Sequence, residues 1–350
     1  MKKKKKTGLK TATRVIDRLF GLVMAAVIIV MLFGLAVEWV LVKGPSPQLK
    51  ESFVMTMLWT RRFHFIPRIF LSEEDIQAIQ DTRFDVTAEG ETDVSLIKIR
   101  AREQKEEDEN TGPQPDDYGI IDEDGDGIVI VDVKKKGFVG KMIIVYDPSR
   151  VFVGKPEIWG GYGMFLEDMV NRYDALGGIN AGGFWDDGGG GTGGYPEGLT
   201  ISQGEYSTWG NPRTFVGFDN QGILHVGDFS AEYAQSLGMR DGVSFGPALL
   251  INGQGVYGSY MESGINPRSA IGQRADGAVL LLCIDGRQLH SIGCSFGDAR
   301  DVMIDFGAVN ACNLDGGSST VMYFDGQYIN SPSSASGTSR YLPDAFLIRR

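Results

Sequence analysis

The segment Asn313–Thr320, with the sequence NLDGGSST, carries the strongest indication of fold in this chain. It places one carboxylate, Asp315, at the end of an apolar strand, directly before two glycines and a run of hydroxyls. Glycine lets the backbone turn tightly and approach a ligand, and successive N–H groups in such a turn can bind an anion. An ordinary Asp-Gly turn has the same composition. The choice between the two depends on the segments around it.

The flanking residues predict regular structure on both sides of this turn. Upstream, the pattern predicts a helix over Phe296–Gly307, with Asp298 as its cap and Gly307 at its end. The apolar face of that helix has the spacing i, i+3, i+4 and i+7: Ala299, Val302, Met303 and Phe306. Downstream, Asp325-Gly326 between two short apolar runs predicts a β-hairpin. Asp315 is therefore expected where a strand meets a glycine turn.

The N-terminal residues have the pattern of a membrane anchor. Residues 1–18 are basic, with Asp17 the only acid, and Leu19–Val37 contains no charged residue. Extended through Val42, this stretch matches the roughly 20 residues that span a bilayer, and the basic flank favours a cytoplasmic N-terminus. A signal peptide is the alternative, since Leu35-Ala36 could precede a cleavage site, but its apolar region would exceed the usual length of about 7–15 residues. We predict a retained single-pass anchor over residues 19–42 in the cell membrane, with the rest of the chain extracellular.

Composition and residue spacing argue against nucleic acid as a partner, against a disulfide framework and against a metal site. The net charge of −11 argues against nucleic acid, because phosphate binding needs a basic face. The three cysteines have apolar neighbours, which indicates buried thiols rather than a disulfide framework. The three histidines lack metal-ligand spacing, so we expect no metal and no other cofactor. The acidic run at Asp122–Asp126 lacks the glutamate of an EF-hand and is predicted to be a solvated turn.

Residues 43–117 are predicted to form a juxtamembrane neck followed by a charged linker over Arg100–Asp117. Ser72 is expected to cap a helix in the neck. From residue 118 to 350, short β-branched runs alternate with glycine turns, and a helix is predicted over Leu166–Leu176, closed by Gly177-Gly178. This pattern predicts an α+β, strand-rich domain with a few packed helices, preceded by one transmembrane helix.

Other segments resemble NLDGGSST in holding polar residues at turns between apolar strands. Asn180–Asp187 offers an amide and two aromatic rings, Phe184 and Trp185, and then runs into glycines; a flexible surface loop is its structural alternative. Arg268 follows Asn266-Pro267 and opens a strand, so its guanidinium is expected to project from a rigid point and suit a phosphate, with a surface salt bridge as the alternative. Leu280–Arg287 again ends an apolar strand with a carboxylate, Asp285, and an arginine.

Taken in order, these segments resemble the phosphodiester glycosidase family, which includes bacterial proteins linked to exopolysaccharide biosynthesis. The resemblance covers about residues 140–348. Its motifs are Asn180-Ala-Gly-Gly-Phe184, Gly246-Pro, Asn266-Pro-Arg268, Asp285-Gly-Arg287 and Leu314-Asp315-Gly-Gly-Ser-Ser, closed by Arg340 and Pro343. Ala181 stands where the family commonly has glycine, and the glycine run after Trp185 is unusual.

The resemblance implies a hydrolase that cleaves the sugar C1–O bond of a glycosyl phosphodiester in a cell-surface glycan or glycoconjugate. Asp315 would serve as base or nucleophile, with Asp285 as its partner, and the separation of two such carboxylates decides between retention and inversion. Arg268, with Arg287 or Arg340, would hold the phosphate, helped by the Gly316 and Gly317 amides. The remaining substrate contacts would come from Asn180, Gly182, Gly183, Phe184, Trp185, Ser318 and Ser319.

Two other functions are compatible with the same residues. A non-catalytic, membrane-tethered module that binds polysaccharide or cell wall would keep the aromatic and glycine loops without needing carboxylates beside arginines. A phosphodiesterase that cuts the P–O bond would be expected to show a His/Asp cluster, and the sequence contains none in metal-ligand spacing.

Overall fold

The structure is a computed structural model that describes residues 2–60, 63–82, 90–99, 113–185, 191–210, 214–334 and 336–350, with side chains from residue 17 onward. Six α-helices lie in these ranges: α1 Lys2–Lys43, α2 Pro47–Leu58, α3 Glu73–Asp81, α4 Leu166–Arg172, α5 Ala231–Ser236 and α6 Phe296–Asp305. Short 3-10 helices occupy Ile66–Ile69, Val94–Leu96, Pro148–Arg150, Ser259–Glu262 and Gly317–Ser319.

The strands form one seven-stranded sheet and two five-stranded sheets. The first contains β1 Ile128–Lys135, β2 Phe138–Val145, β10 Ala248–Ile251, β11 Gln254–Gly255, β12 Arg268–Arg274, β13 Val279–Ile284 and β14 Ala308–Leu314, in the order β1-β2-β13-β12-β14-β10-β11. The second contains β3 Val151–Gly154, β4 Gly177–Asn180, β15 Met322–Phe324, β16 Gln327–Tyr328 and β17 Ala345–Ile348, in the order β16-β15-β4-β17-β3. The third contains β5 Gly198–Ser202, β6 Glu205–Trp209, β7 Thr214–Asp219, β8 Leu224–Asp228 and β9 Met239–Ser244, in the order β6-β5-β9-β7-β8.

The inner strand β13 of the seven-stranded sheet is buried on both faces, which explains its unbroken apolar run. Because successive side chains of a strand point to opposite faces, Leu281 and Cys283 pack towards the two smaller sheets. Leu280 and Leu282 pack on the other face, which α6 covers. All three cysteines are buried and free, as the sequence predicted. The domain is strand-rich α+β, in agreement with the sequence.

Two helix predictions were wrong in detail. Helix α4 ends at Arg172 rather than near Leu176, and Gly177-Gly178 belong to β4. A Cβ at Gly177 would lie 2.3 Å from the backbone oxygen of Tyr323 on the neighbouring strand, so glycine is needed there for strand pairing. Helix α6 is capped by Ser295, and the predicted cap, Asp298, is the third helical residue, whose carboxylate accepts from the Ser295 backbone N–H in a capping box.

Several local predictions are confirmed. Ser72 caps α3 in a second capping box, Gly307 has φ +80° at the end of α6, and Asp325-Gly326 connect β15 to β16. The acidic turn differs from the expectation in one respect, because Asp122 is buried and accepts from the N–H groups of Gly125 and Gly127. Residues 100–112 of the predicted linker lie outside the described residues.

Residues Asp17–Lys43 of α1 form a helix whose most apolar 18 residues have a mean hydropathy of 2.8 and are exposed, so the helix is long and apolar enough to cross a membrane. A signal sequence near an N-terminus can satisfy the same criterion of length and composition. The end of this helix packs into the neck, where Val42 joins an apolar cluster with residues of α2, of α3 and of the segment between them: Val54, Met55, Leu71, Ile76 and Ile79.

Candidate functional site

Strand direction brings the predicted site residues to one edge of the sheets. Strand β12 runs antiparallel to β13 and β14, with Arg268 opposite Ile284 and Ser269 opposite Leu314. The start of β12 therefore lies beside the ends of β13 and β14, where Asp285 and Asp315 follow. Strand β4 of the second sheet ends at the same place, since Asp315 donates its N–H to the Ala181 carbonyl at 2.9 Å.

Asn180 joins three segments at this edge. Its side chain is fully buried, and its Nδ2 donates to the Asp315 carbonyl at 2.6 Å. Its Oδ1 accepts from Ser269 Oγ at 2.7 Å and from the Val321 N–H at 3.1 Å. The sequence predicted Asn180 as a sugar contact, and in the structure its side chain bonds to the backbone at Asp315 and Val321 and to the Ser269 hydroxyl.

The glycine turn after Asp315 uses its N–H groups internally. Gly316 donates to Asp315 Oδ1 at 2.9 Å, and Gly317 donates to the Pro267 carbonyl at 2.9 Å. These two amides were predicted to bind an anion, and in the structure both are engaged by the protein. The Asp315 side chain is half-buried, and Gly317 has φ +62°, a conformation that favours glycine.

Asp285 is held by groups that the sequence did not single out. The residue is 6% exposed, and Oδ1 accepts from the Ser331 N–H at 2.9 Å and from Asn330 Nδ2 at 3.3 Å. Its Oδ2 lies 3.2 Å from His290 Nε2. Asn330 also donates to the Thr320 carbonyl at 3.3 Å, so it links Asp285 to the turn that follows Asp315.

A third carboxyl group, Asp344, was missed by the sequence analysis. It is fully buried, and its Oδ1 accepts from the Gly182 N–H at 2.6 Å while Oδ2 accepts weakly from Thr200 Oγ1 at 3.4 Å. Burial raises the pKa of Asp344 to about 7, and the charge of Asp315 adds to the rise. The sequence signal is an acid directly before the apolar strand β17.

Arg268 differs from the projecting guanidinium that the sequence predicted. The residue is 5% exposed, and its guanidinium carbon lies 3.7 Å from the ring centre of Phe296 and 5.1 Å from that of Trp59. Nη2 donates to the Gly264 carbonyl at 2.6 Å. Burial lowers the pKa of Arg268 to about 10, so it remains a cation at neutral pH. The guanidinium of Arg268 is therefore covered by aromatic side chains and does not project into the site.

Two other arginines lie beside the glycine turn. Arg287 donates through Nη2 to Asn266 Oδ1 at 2.7 Å, and a Cβ at Gly317 would lie 3.1 Å from the same nitrogen. Desolvation of its guanidinium lowers the pKa of Arg287, although the residue as a whole is exposed. Arg340 stacks on Phe184, with 4.6 Å from guanidinium carbon to ring centre, and Nη1 donates to Ser318 Oγ at 3.4 Å.

The predicted sugar-binding segment contains one buried and one exposed ring. Phe184 is 7% exposed and supports Arg340, whereas Trp185 is 66% exposed. A Cβ at Gly183 would lie 2.7 Å from the Phe245 ring, so glycine is required for that packing. Residues 186–190 of the glycine run lie outside the described residues. Ser319 is buried, and its N–H donates to the Gly316 carbonyl at 3.1 Å.

The chain is similar to proteins of known sequence and structure. A segment of 83 residues, 24% of this chain, is 40% identical to the SPbeta prophage-derived uncharacterized protein YomE of Bacillus subtilis and spans 13% of that relative. The fold is similar to the zebrafish N-acetylglucosamine-1-phosphodiester alpha-N-acetylglucosaminidase catalytic domain auto-inhibited by pro-peptide, with a TM-score of 0.54 and 23% identity. That similarity covers 64% of this chain and 82% of the zebrafish chain. The family model of phosphodiester glycosidases matches residues 173–349, and the chain belongs to that family.

Proposed function

We propose that this protein is a membrane-anchored hydrolase that cleaves the sugar C1–O bond of a glycosyl phosphodiester in a cell-surface glycan or glycoconjugate. Membership of the phosphodiester glycosidase family supports a glycosidase-type hydrolase. The observation that carries the finer proposal is that Arg287 and Arg340 lie beside the turn at residues 316–318, which follows Asp315 and is joined to Asp285 through Asn330. A phosphate monoester is the leaving group, so the site needs cations on the phosphate and a carboxylate near C1.

Arg340 and Arg287 are the proposed phosphate ligands. They lie at Ser318 and Gly317, on the turn that follows Asp315. A guanidinium presents donors that suit phosphate oxygens and keeps its charge at neutral pH. The Gly316 and Gly317 amides are already bonded within the protein, so the arginines supply the charge that neutralises the leaving group. Arg268 is buried and stabilises this region from within the protein.

Asp315 is the proposed base or nucleophile, and Asp285 its partner. The backbone of Asp315 is fixed from both sides by Ala181 and Asn180, which favours a constant position of its carboxylate relative to bound substrate. Asp285 is anchored by Ser331 and Asn330, and His290 lies on its second oxygen. The exposed Trp185 ring offers a face for the sugar.

We place the hydrolase outside the cytoplasm, on a retained anchor at residues 19–42. The packing of Val42 against α2 and α3 supports retention, because the end of the apolar helix belongs to the apolar core of the neck. The basic residues before the helix favour a cytoplasmic N-terminus. Cell fractionation followed by protease treatment of intact cells tests this arrangement. We expect the full-length chain in the membrane fraction, and we expect protease added outside the cells to cleave it. A shortened chain in the soluble fraction would contradict the retained anchor.

The experiment for the activity uses the full chain in detergent with a panel of glycosyl-1-phosphodiesters, including an N-acetylglucosamine-1-phosphodiester of the kind named for the zebrafish homologue. Release of free sugar and phosphate monoester is expected, with Asp315→Asn as the inactive control. Binding of polysaccharide without turnover of any member of the panel would instead favour the non-catalytic module.

A further inference from the structure

The juxtamembrane helix α2 reaches the edge of the sheet where the candidate site lies. Trp59 is the residue that ends this helix, and its N–H donates to the Met55 carbonyl at 3.1 Å. The helix itself packs against the end of α1 through Val42, Val54 and Met55. The neck therefore connects the apolar N-terminal helix to the domain at the end of α2, where Trp59 lies.

The Trp59 ring fills a fitted space in the domain. A Cβ at Gly264 would lie 2.1 Å from Trp59 Cζ3, so the ring occupies the space that a side chain would take. Its ring centre lies 5.6 Å from that of Phe296 and 6.1 Å from that of Tyr260, both in edge-on geometry. The Arg268 guanidinium carbon lies 5.1 Å from the Trp59 ring centre, so the ring closes one side of this buried cation.

The backbone of the neck makes polar contacts with the same region. The Trp59 carbonyl accepts from Arg287 Nη2 at 3.1 Å, and the same nitrogen donates to Asn266 Oδ1 at 2.7 Å. Three residues earlier in the helix, Thr56 Oγ1 accepts from the Ile265 N–H at 2.9 Å. Asn266 and Ile265 belong to the loop that precedes Arg268. The neck thus bonds both to this loop and to the arginine beside Gly317.

These contacts give Arg287 its orientation. The residue has φ +59°, outside the usual range for arginine, and its guanidinium has bonds to the neck on one side and to Asn266 on the other. The packed Trp59 ring keeps the Trp59 carbonyl beside Arg287, and if the ring no longer holds it there, the long Arg287 side chain regains rotamer freedom that it must lose again when it binds an anion. Ordering before binding lowers that cost.

We propose that Trp59 is a positioning residue of the candidate site, and that the juxtamembrane helix is a structural part of the phosphate-binding corner. Trp59 acts through Arg287, which its carbonyl orients beside Gly317, and through Arg268, which its ring covers. The ligand assigned to Arg287 rests on the proposed function, whereas the positioning itself rests on the contacts alone. The consequence is that substrate affinity depends on a residue of the neck that precedes the domain in sequence.

The test compares Trp59→Ala, Trp59→Phe and Leu49→Ala in the full chain in detergent. Leu49 lies on the same helix and is 58% exposed, so its variant is the matched control. With an N-acetylglucosamine-1-phosphodiester as the probe, or the member of the panel that is turned over, KM should rise about tenfold in Trp59→Ala with a smaller change in kcat. Trp59→Phe should restore KM to within about threefold of the wild type, because a ring still covers Arg268.

Hydrogen exchange provides a readout that does not need activity. Exchange of residues 263–268 and 285–292 should accelerate in Trp59→Ala and remain unchanged in Leu49→Ala. Unchanged exchange in both variants would overturn the proposal, as would an unchanged KM beside an active wild type. A rise in kcat/KM would mean that the neck obstructs the site and would also overturn it. A wild type without turnover refutes the proposed function, and the exchange data still decide the positioning.

Discussion

Replacing Asp344 by asparagine should change how stability depends on pH. The carboxyl group is fully buried beneath Gly182, and its pKa rises from the ordinary 3.8 to about 7. The folded protein therefore binds this proton more tightly than the unfolded chain does. The stability that the protonated carboxyl contributes is complete below about pH 4 and is lost as the pH rises to 7. Asparagine keeps an oxygen for the Gly182 N–H and does not titrate.

The size of the effect follows from the shift. One pKa unit corresponds to about 1.4 kcal/mol, so ionisation of Asp344 costs about 4 kcal/mol in full, of which about 3 kcal/mol falls between pH 5 and pH 8. Solvent rearrangement around the charged form makes this an upper value. The stability of Asp344→Asn relative to the wild type should therefore increase by about 2–3 kcal/mol between these two pH values.

The assay is denaturant unfolding of the full chain in detergent, followed by tryptophan fluorescence at pH 5, 6, 7 and 8. The control is Asp325→Asn, which lies in the exposed turn between β15 and β16, where φ is +45° and asparagine is well tolerated. That variant should follow the wild type at every pH. A constant difference between Asp344→Asn and the wild type across this range would refute the assignment of a proton to Asp344.

Three other substitutions test the site and the fold. Arg340→Gln removes the cation on the Phe184 ring and should raise KM about tenfold or more, since a charge-assisted hydrogen bond contributes about 1.5–3 kcal/mol; an unchanged KM in steady-state kinetics would contradict its role on the phosphate. Trp185→Ala should raise KM without shifting the unfolding midpoint, because the ring is 66% exposed, and a lowered midpoint with unchanged KM would show that the ring is structural. Gly177→Ala places a methyl group 2.3 Å from the Tyr323 oxygen and should lower the free energy of unfolding by about 1–3 kcal/mol, whereas a midpoint equal to that of the wild type would argue against the pairing of β4 with β15.

Local sequence signals were sufficient to place the ends of the strands. Apolar runs that stop at Asp285 and Asp315 each predicted the end of a strand, and antiparallel pairing of β12 with β13 and β14 brings these two ends to one edge. The hairpin at Asp325-Gly326 and the Ser72 cap depend on a few adjacent residues, so the sequence alone was enough for both.

Features that depend on distant residues could not be predicted in the same way. The direction of the Arg268 side chain is decided by Phe296 and Trp59, which are far from it in sequence, so the motif gave no indication that the guanidinium is covered. The Gly317 amide is satisfied by the Pro267 carbonyl, again from a distant segment. The pKa of Asp344 depends on burial between sheets, which an acid next to an apolar strand does not reveal.

The end of helix α4 is a further feature that local sequence did not predict correctly. Helical spacing continues to Leu176, but the pairing of β4 with β17 requires extended backbone from Gly177 onward. Asp174 turns the chain with φ +47° between the two elements. Tertiary pairing therefore overrides the local pattern at this boundary.

The most direct measurement for the proposed activity is hydrolysis of a glycosyl-1-phosphodiester by the full chain in ¹⁸O-labelled water, with Asp315→Asn measured in parallel. Attack at C1 predicts label in the released sugar and none in the phosphate monoester. Loss of the Asp315 carboxylate should lower kcat by about 10²–10⁴-fold, the usual contribution of a positioned base. Label in the phosphate, or full activity of Asp315→Asn, would contradict cleavage of the C1–O bond by this site.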